Sequence, residues 1–237
     1  FSFSGGNVTY IGTYPALAEK YRNNTQRRVF FGPWETYFLL AEAALRSWNV
    51  GIDAEAAYNK GIDASFDYYG LSAFKEDYKN STTYNRVGTS VKFTHTAEPA
   101  NTTMEITTFD GKKSEKLYTY PDVNKILYKG KALNDKLTKI ITQKFIANTP
   151  WLPLENWSDH RRLGLPFWEI PVATKEMSYL PGWSKTSYQT GQTAGCFPQR
   201  MTYPSSLDNA DPKEYAHAKE LLGADDLVST PLWWAIK

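Results

Sequence analysis

Trp34-Glu-Thr-Tyr-Phe-Leu-Leu-Ala-Glu-Ala-Ala-Leu-Arg-Ser-Trp48 places apolar side chains at positions 34, 37, 38, 41, 44, 45 and 48. Steps of three and four keep them on one side of a helix, so the stretch predicts an amphipathic helix with a wide apolar face. Pro33 stands where a first helical turn tolerates proline, because the missing N–H would have no partner there anyway. Asn49-Val50-Gly51 stops the helix. Asp53 is a natural N-cap for a second helix over 54–69, and Gly70 closes it. Ala57, Tyr58, Gly61, Ala64, Ser65, Tyr68 and Tyr69 are small or aromatic, which lets two helices approach closely. Two helices on a short link with such facing sides predict a helical hairpin, the build of one tetratricopeptide unit. No second copy occurs at that repeat's spacing.

Outward from this pair, helices alternate with long irregular stretches. Residues 1–32 read as loop, punctuated by Gly5-Gly6, Gly12, Pro15 and Gly32. Leu71 to Asn80 predicts a short helix. The Thr/Asn/Ser-rich residues 81–108 and the turn Asp110-Gly111 predict loops with room for a short hairpin. A helix over 131–148 follows, with Leu133, Leu137, Ile140, Ile141, Phe145 and Ile146 as one stripe. Lys136, Lys139, Gln143 and Lys144 are expected away from that stripe. Pro150 and Pro153 break the helix, and another over 154–163 carries Trp157, Asp159 and Arg161-Arg162. Gly164 to Asp211 predicts extended loop, and a last helix over 212–222 precedes the tail Leu232-Trp233-Trp234. Trp34, Trp48 and Trp157 fall on helix faces and are expected in the core, and Trp233 and Trp234 are expected to pack back onto helices. Helices predominate without strand–helix alternation. The predicted class is therefore mainly α, which argues against a doubly wound or barrel enzyme fold.

The 237 residues are enough for one large domain with a real core, or two small ones. Aromatic residues reach 15%, with 8 Trp, 16 Tyr and 12 Phe, a surplus used either in cores or as flat platforms at binding surfaces. The net charge of +2 comes from 27 basic and 25 acidic residues scattered along the chain. The longest basic doublets, Arg27-Arg28, Lys112-Lys113 and Arg161-Arg162, are too short for a phosphate track, so no nucleic acid is expected. A single cysteine, Cys196, leaves no internal disulfide or thiolate cluster within this chain and reads as a buried or incidental residue. No stretch approaches the roughly 18 apolar residues of a membrane span. The opening Phe-Ser-Phe-Ser-Gly-Gly has neither an initiator Met nor the features of a signal peptide and reads as mid-protein.

Catalytic signals are weak. Glu155, Asp159 and His160 share one short helix, but a glycosidase needs two carboxyl groups facing each other across a cleft. Arg161 and Arg162 follow at once, so structural ion pairing is the expected role. His95, His160 and His217 lack metal-ligand spacing and are expected to be exposed or incidental. Glu105 and Asp110 could offer oxygens to calcium, but no Asp-x-Asp-x-Asp-Gly loop exists. No Gly-x-Ser-x-Gly elbow surrounds Ser184, and phosphate-binding Gly-rich loops are missing. Neither a catalytic residue, a metal nor a cofactor is expected. Asn-x-Ser/Thr triplets at Asn7, Asn23, Asn80, Asn101 and Asn156 would be glycosylation acceptors in a eukaryotic secreted protein.

Four blocks in order resemble the SusD/RagB family. The first is Glu35 to Gly51, followed by Ala57-Tyr58 and Gly61-Ile-Asp-Ala-Ser-Phe66. The second is Ile140 to Ala147, leading to Glu155-Asn-Trp-Ser-Asp-His-Arg-Arg-Leu-Gly-Leu-Pro166. The third is Pro198-Gln-Arg-Met-Thr-Tyr-Pro-Ser-Ser206, and the fourth is Thr230-Pro-Leu-Trp-Trp234. The resemblance implies tetratricopeptide-like helix pairs carrying long loops that form the ligand surface, a SusD-like superhelical fold. It implies a non-catalytic nutrient binder, lipid-anchored at the bacterial outer-membrane surface, that hands an oligosaccharide to a SusC-like TonB-dependent transporter. Residues 1–237 would be the C-terminal portion of a single SusD-like domain, with the N-terminal half and its lipidated cysteine absent. A bacterial source removes the glycosylation meaning of the Asn triplets. Phe145 stands where the family often has Trp.

Sugar binding asks for exposed rings that stack on pyranose faces, with amides and guanidinium groups bonding hydroxyls, all held by loops on a rigid frame. Loop aromatics are Tyr10, Tyr14, Tyr84, Trp168, Trp183 and Tyr188, with Asn7, Asn23, Arg86, Gln189 and Gln192 near them in sequence. Of these, Tyr10, Tyr14, Trp183 and Tyr188 are the expected ligand-binding residues. Three further readings stand beside the glycan binder: a helical-repeat module gripping another protein, a peptide binder, and a carbohydrate-active enzyme.

Overall fold

The computed structural model describes residues 17–107, 111–118, 120, 132–167, 200–228, 230 and 232–235. These are mainly helical. The elements are α1 (Pro33–Leu45), α2 (Ala54–Tyr69), α3 (Lys75–Asn80), α4 (Lys136–Asn148), α5 (Pro153–Leu163), α6 (Leu207–Ala210) and α7 (Pro212–Leu222). One antiparallel hairpin, β1 (Thr102–Thr107) with β2 (Lys113–Tyr118), stands where the Asp110-Gly111 turn suggested. Cys196, Trp168 and the four expected ligand-binding residues lie outside the described residues.

Local chemistry sets the boundaries. The Asp53 carboxylate accepts a hydrogen bond from the Ala56 N–H at 2.9 Å, and Gly70 ends α2 with φ 72°, a conformation that only glycine adopts without strain. Asp135 accepts from the Thr138 N–H at 2.7 Å. That cap starts α4 at Lys136, five residues later than the apolar pattern suggests.

Trp34, Phe38 and Ala41 of α1 meet Ala57, Tyr58 and Ile62 of α2, and α1 also packs on α4 through Ile140 and Ile141. Gly61 makes the helix pair close. A Cβ at that position would lie 2.8 Å from the Phe38 ring. Deleting a large side chain from such a core costs about 2–5 kcal/mol.

Three expectations are corrected. First, α4 is not a one-striped helix. Lys139, Gln143 and Lys144 are buried together with Thr138 and Thr142, while Ile146 is exposed. The helix is enclosed on several sides, so Thr138, Lys139, Gln143 and Lys144 face polar partners rather than water, while the buried Thr142 hydroxyl has none among the described residues. Second, Trp48 is 67% exposed. α1 ends at Leu45, and Ser47 turns into the left-handed region at φ 65°, so the helical register is broken before Trp48. Third, Trp233 is 79% exposed and Trp234 also remains exposed. They sit on a 3-10 turn beside α5 and meet edge to face at 5.4 Å, each ring covering part of the other.

The stretch after Gly164, expected as continuous loop, contains the single-turn α6. Near it, the buried Arg200 guanidinium pairs with Asp226, whose carboxylate also accepts from the Tyr203 N–H at 3.2 Å and the Tyr215 hydroxyl at 3.1 Å. The third sequence block is thereby tied to the loop after α7.

Candidate ligand-binding site

Five charged residues of the first two blocks, Glu35, Glu42, Lys144, Asp159 and Arg162, are held in a network between helices. Lys144 of α4 lies 2.7 Å from Glu35 of α1 and 2.8 Å from Asp159 of α5. Arg162 of α5 pairs with Asp159 at 2.8 Å and reaches Glu42 of α1 through both terminal nitrogens. Asn148 donates to Glu35 at 2.8 Å and accepts from the Trp34 indole at 2.9 Å. Burial disfavours the Glu42 carboxylate, but hydrogen bonds and charge from Arg162 and Arg46 outweigh it and leave its pKa lowered. Burial likewise disfavours the Lys144 ammonium, and Asp159 and Glu35 outweigh that, so its pKa is raised. These acids are neutralised in place. Asp159 is an ion-pair residue, as expected, and Glu155 lies exposed on the same helix.

A second buried cluster joins α4 to the loop after α3. The Lys139 ammonium donates to the Ser90 carbonyl and hydroxyl, both at 2.7 Å, and to the Asn134 amide oxygen at 2.6 Å. Asn134 also accepts from the Ser90 N–H at 2.8 Å and donates to the His95 and Ala97 carbonyls at 2.9 and 2.7 Å. Burial pushes the Lys139 pKa down to about 8, partly offset by the charge of Asp135. A serine hydroxyl beside a lysine of lowered pKa is the arrangement of a Ser–Lys nucleophile. Ser90 is only 1% exposed, however, so no substrate reaches its oxygen in this conformation. The cluster acts as a clamp on residues 89–98.

The histidines differ from expectation in part. His217 is exposed, but His95 is half-buried with its Nδ1 2.9 Å from the Ser90 hydroxyl, and His160 is buried with its ring stacked on Trp157. Among the described residues no group of three or more His, Cys, Asp or Glu is arranged to hold a metal ion. No helix among them is long and apolar enough to cross a membrane.

Tyr84, a loop aromatic in the sequence, is half-buried. Its hydroxyl donates to the Ala97 carbonyl at 2.9 Å and its ring packs against His95 and Tyr120. Asn23 and Arg86 are exposed on separate loops. Another ring cluster gathers where α2 ends: Tyr21 meets Tyr69 and Trp151 edge-on, at interplanar angles of 83° and 78°. Edge-on rings fill space between elements, whereas a sugar platform needs a ring face open to solvent.

The sequence did not point to a groove at the α4–α5 junction. Phe145, Thr149, Pro150, Pro153, Asn156 and Trp157 line about 340 Å³ of nearly apolar space. The signal was present in the two prolines, which end α4 and restart the chain as α5 within a few residues, leaving apolar side chains on both sides of the break. Phe145 and Trp157, expected in the core, are half-buried because they face this groove.

The described residues thus form a helical frame in which Glu35, Glu42, Lys144, Asp159 and Arg162 pair with one another between α1, α4 and α5. The chain belongs to the SusD-like family, described as SusD and RagB outer membrane lipoproteins, whose model matches residues 7–235. It is similar to a SusD homologue from Parabacteroides distasonis, with 30% identity, a TM-score of 0.57, and coverage of 88% of this chain and 33% of that one. A chitin-binding SusD homologue from Flavobacterium johnsoniae matches at 28% identity and TM-score 0.50, over 86% of this chain and 36% of its own. A SusD homologue from Bacteroides thetaiotaomicron matches at 26% identity and TM-score 0.50, over 88% and 38%. This chain thus spans about a third of the length of these solved relatives. No curated protein matches the sequence.

Proposed function

We propose that this chain is the C-terminal portion of a non-catalytic nutrient binder at the bacterial outer-membrane surface. In the full protein, a lipid anchor on the N-terminal part holds it to the membrane, and it passes an oligosaccharide to a SusC-like TonB-dependent transporter. The observation that carries the reading is membership of the SusD-like family over residues 7–235. The chitin-binding relative supports a glycan over a peptide. Tyr10, Tyr14, Trp183 and Tyr188 are the proposed stacking rings. Affinity electrophoresis and calorimetry of the full-length protein against an oligosaccharide panel, chitin fragments included, test the glycan. Binding should weaken at least about fivefold in Trp183→Ala and Tyr188→Ala, since one ring stacked on a sugar contributes on the order of 1 kcal/mol. Failure to retain any glycan, with the transporter present, would count against it.

The α1–α2 hairpin favours a second reading, a helical module that grips another protein. Retention of a partner transporter in a pull-down, together with no affinity for any sugar or peptide, would support that reading instead.

A further inference from the structure

Lys20, Arg22, Arg27 and Arg28 lie exposed in one short stretch ahead of α1, in a chain whose net charge is only +2. Glu19 is the one acid among residues 17–31, and none of the four cations forms an ion pair among the described residues. Lys75, Lys79, Lys144, Arg162 and Arg200 all hold carboxylates. Phe30 and Phe31 follow the arginines at 95% and 60% exposure, although a ring of this size gains by leaving water.

The stretch is fixed to the frame all the same. Tyr21 meets Tyr69 and Trp151 edge-on, with the Lys20 ammonium over its ring at 4.7 Å. Val29 packs against the core, and Gly32 passes so close to Trp34 that a Cβ there would collide with the indole ring. Arg28 and Phe30 flank Val29 and are both exposed, no more than about 7 Å apart along the backbone.

These features select an occupant. A neutral sugar would use the rings and leave four cations idle. A nucleic acid needs a longer phosphate track. Insertion into a lipid surface relies on the long apolar face of an amphipathic helix, and residues 26–32 are not helical. An acidic sugar matches both halves of the surface. Its C–H face stacks on an aromatic ring, while its carboxylate accepts paired, charge-assisted hydrogen bonds from a guanidinium.

We infer that Arg27, Arg28 and Phe30 form the centre of a binding site for an acidic oligosaccharide, with Lys20, Arg22 and Phe31 around it. The site names the sugar class of the proposed function and rests on that reading.

Calorimetry of the full-length protein tests it, with short chains of oligogalacturonate, oligoalginate and chondroitin sulfate beside neutral oligosaccharides. At least one acidic chain should bind, and binding should weaken about tenfold or more between about 50 and about 500 mM salt, because exposed charges are screened. Replacing both arginines, Arg27→Gln with Arg28→Gln, should weaken it at least about tenfold, as expected for lost hydrogen bonds to a charged group. Phe30→Ala should weaken it about fivefold. Melting temperatures of both variants should match the parent, since the residues are exposed. A fall of about 4 °C or more in Phe30→Ala would overturn the site, by showing the ring covered within the full-length protein. Equal affinity for polyglutamate or for anionic phospholipid vesicles, lost in the same arginine variant, would overturn it as a general anion surface. Binding of neutral glycans alone would overturn it and leave the glycan reading standing, whereas binding of no glycan removes both.

Discussion

Two lysines five residues apart on α4, both buried, are held in opposite ways. Five residues rotate about 140° around a helix and rise about 7.5 Å, so the two ammonium groups leave on different faces. Lys144 points between α1 and α5 and meets two carboxylates. Lys139 points to the loop after α3 and meets a carbonyl, a hydroxyl and an amide oxygen, with no carboxylate in contact among the described residues. Burial pushes each toward the neutral form. Only the facing carboxylates reverse that push, which is why the Lys144 pKa rises while that of Lys139 falls to about 8. The pair separates two uses of a buried charge. One ties helix to helix through opposite charge, and the other organises a loop through hydrogen bonds at an electrostatic cost.

The sharpest break of this comparison is Lys144→Met. It leaves Glu35 and Asp159 buried beside one fewer cation, and should lower unfolding free energy in urea by about 3–5 kcal/mol. Next comes Asn134→Ala. It removes the acceptor shared by Lys139 and Ser90 and both donors to the 95–97 backbone, for an expected loss of about 2–3 kcal/mol.

Lys139→Met should cost less, about 1–2 kcal/mol near pH 7, because an unfavourable buried ammonium leaves with the lost hydrogen bonds. Its signature lies in the pH dependence. Between pH about 8 and 10.5 the unfolded chain holds a proton on Lys139 that the folded chain has released, so unfolding binds a proton and stability rises with pH. The rise amounts to about 3 kcal/mol at most, and urea titrations at pH 7.5 and 9.5 should detect it in the parent protein and not in Lys139→Met. Equal slopes would mean that Lys139 keeps its ordinary pKa.

The smallest effect is on the acid side. Glu42 has a lowered pKa when folded, so its stabilisation is present above pH 4.5 and fades as pH falls through the folded value. Glu42→Gln should therefore flatten the acid limb of a stability–pH profile, an effect moderated because its partner Arg162 is a third exposed and keeps Asp159.

Helices were legible where a cap and a periodic face agreed. Asp53 with Gly70 bounded α2 correctly, and Pro212 to Leu222 matched the last helix, because capping is a contact within a few residues of sequence. Periodicity failed for α4 because it assumes one apolar side and one wet side, and this helix is covered by α1, α5 and the loop after α3. The expected ligand rings Tyr10, Tyr14, Trp183 and Tyr188 lie outside the described residues, so they stand as proposals.

The family, the helix pair and the absence of a basic track were written in residue order and composition, which depend only on near neighbours and sums. The fates of Trp34 and Trp48 were not. Both fit the same stripe, yet one is fully buried against Asn148 and the other is exposed beyond a left-handed Ser47. Which lysine would find carboxylates, and which side chains would line the α4–α5 groove, was likewise decided only by packing. Those outcomes join residues up to 120 positions apart, as Arg162 joins Glu42, and no local pattern carries information across that separation.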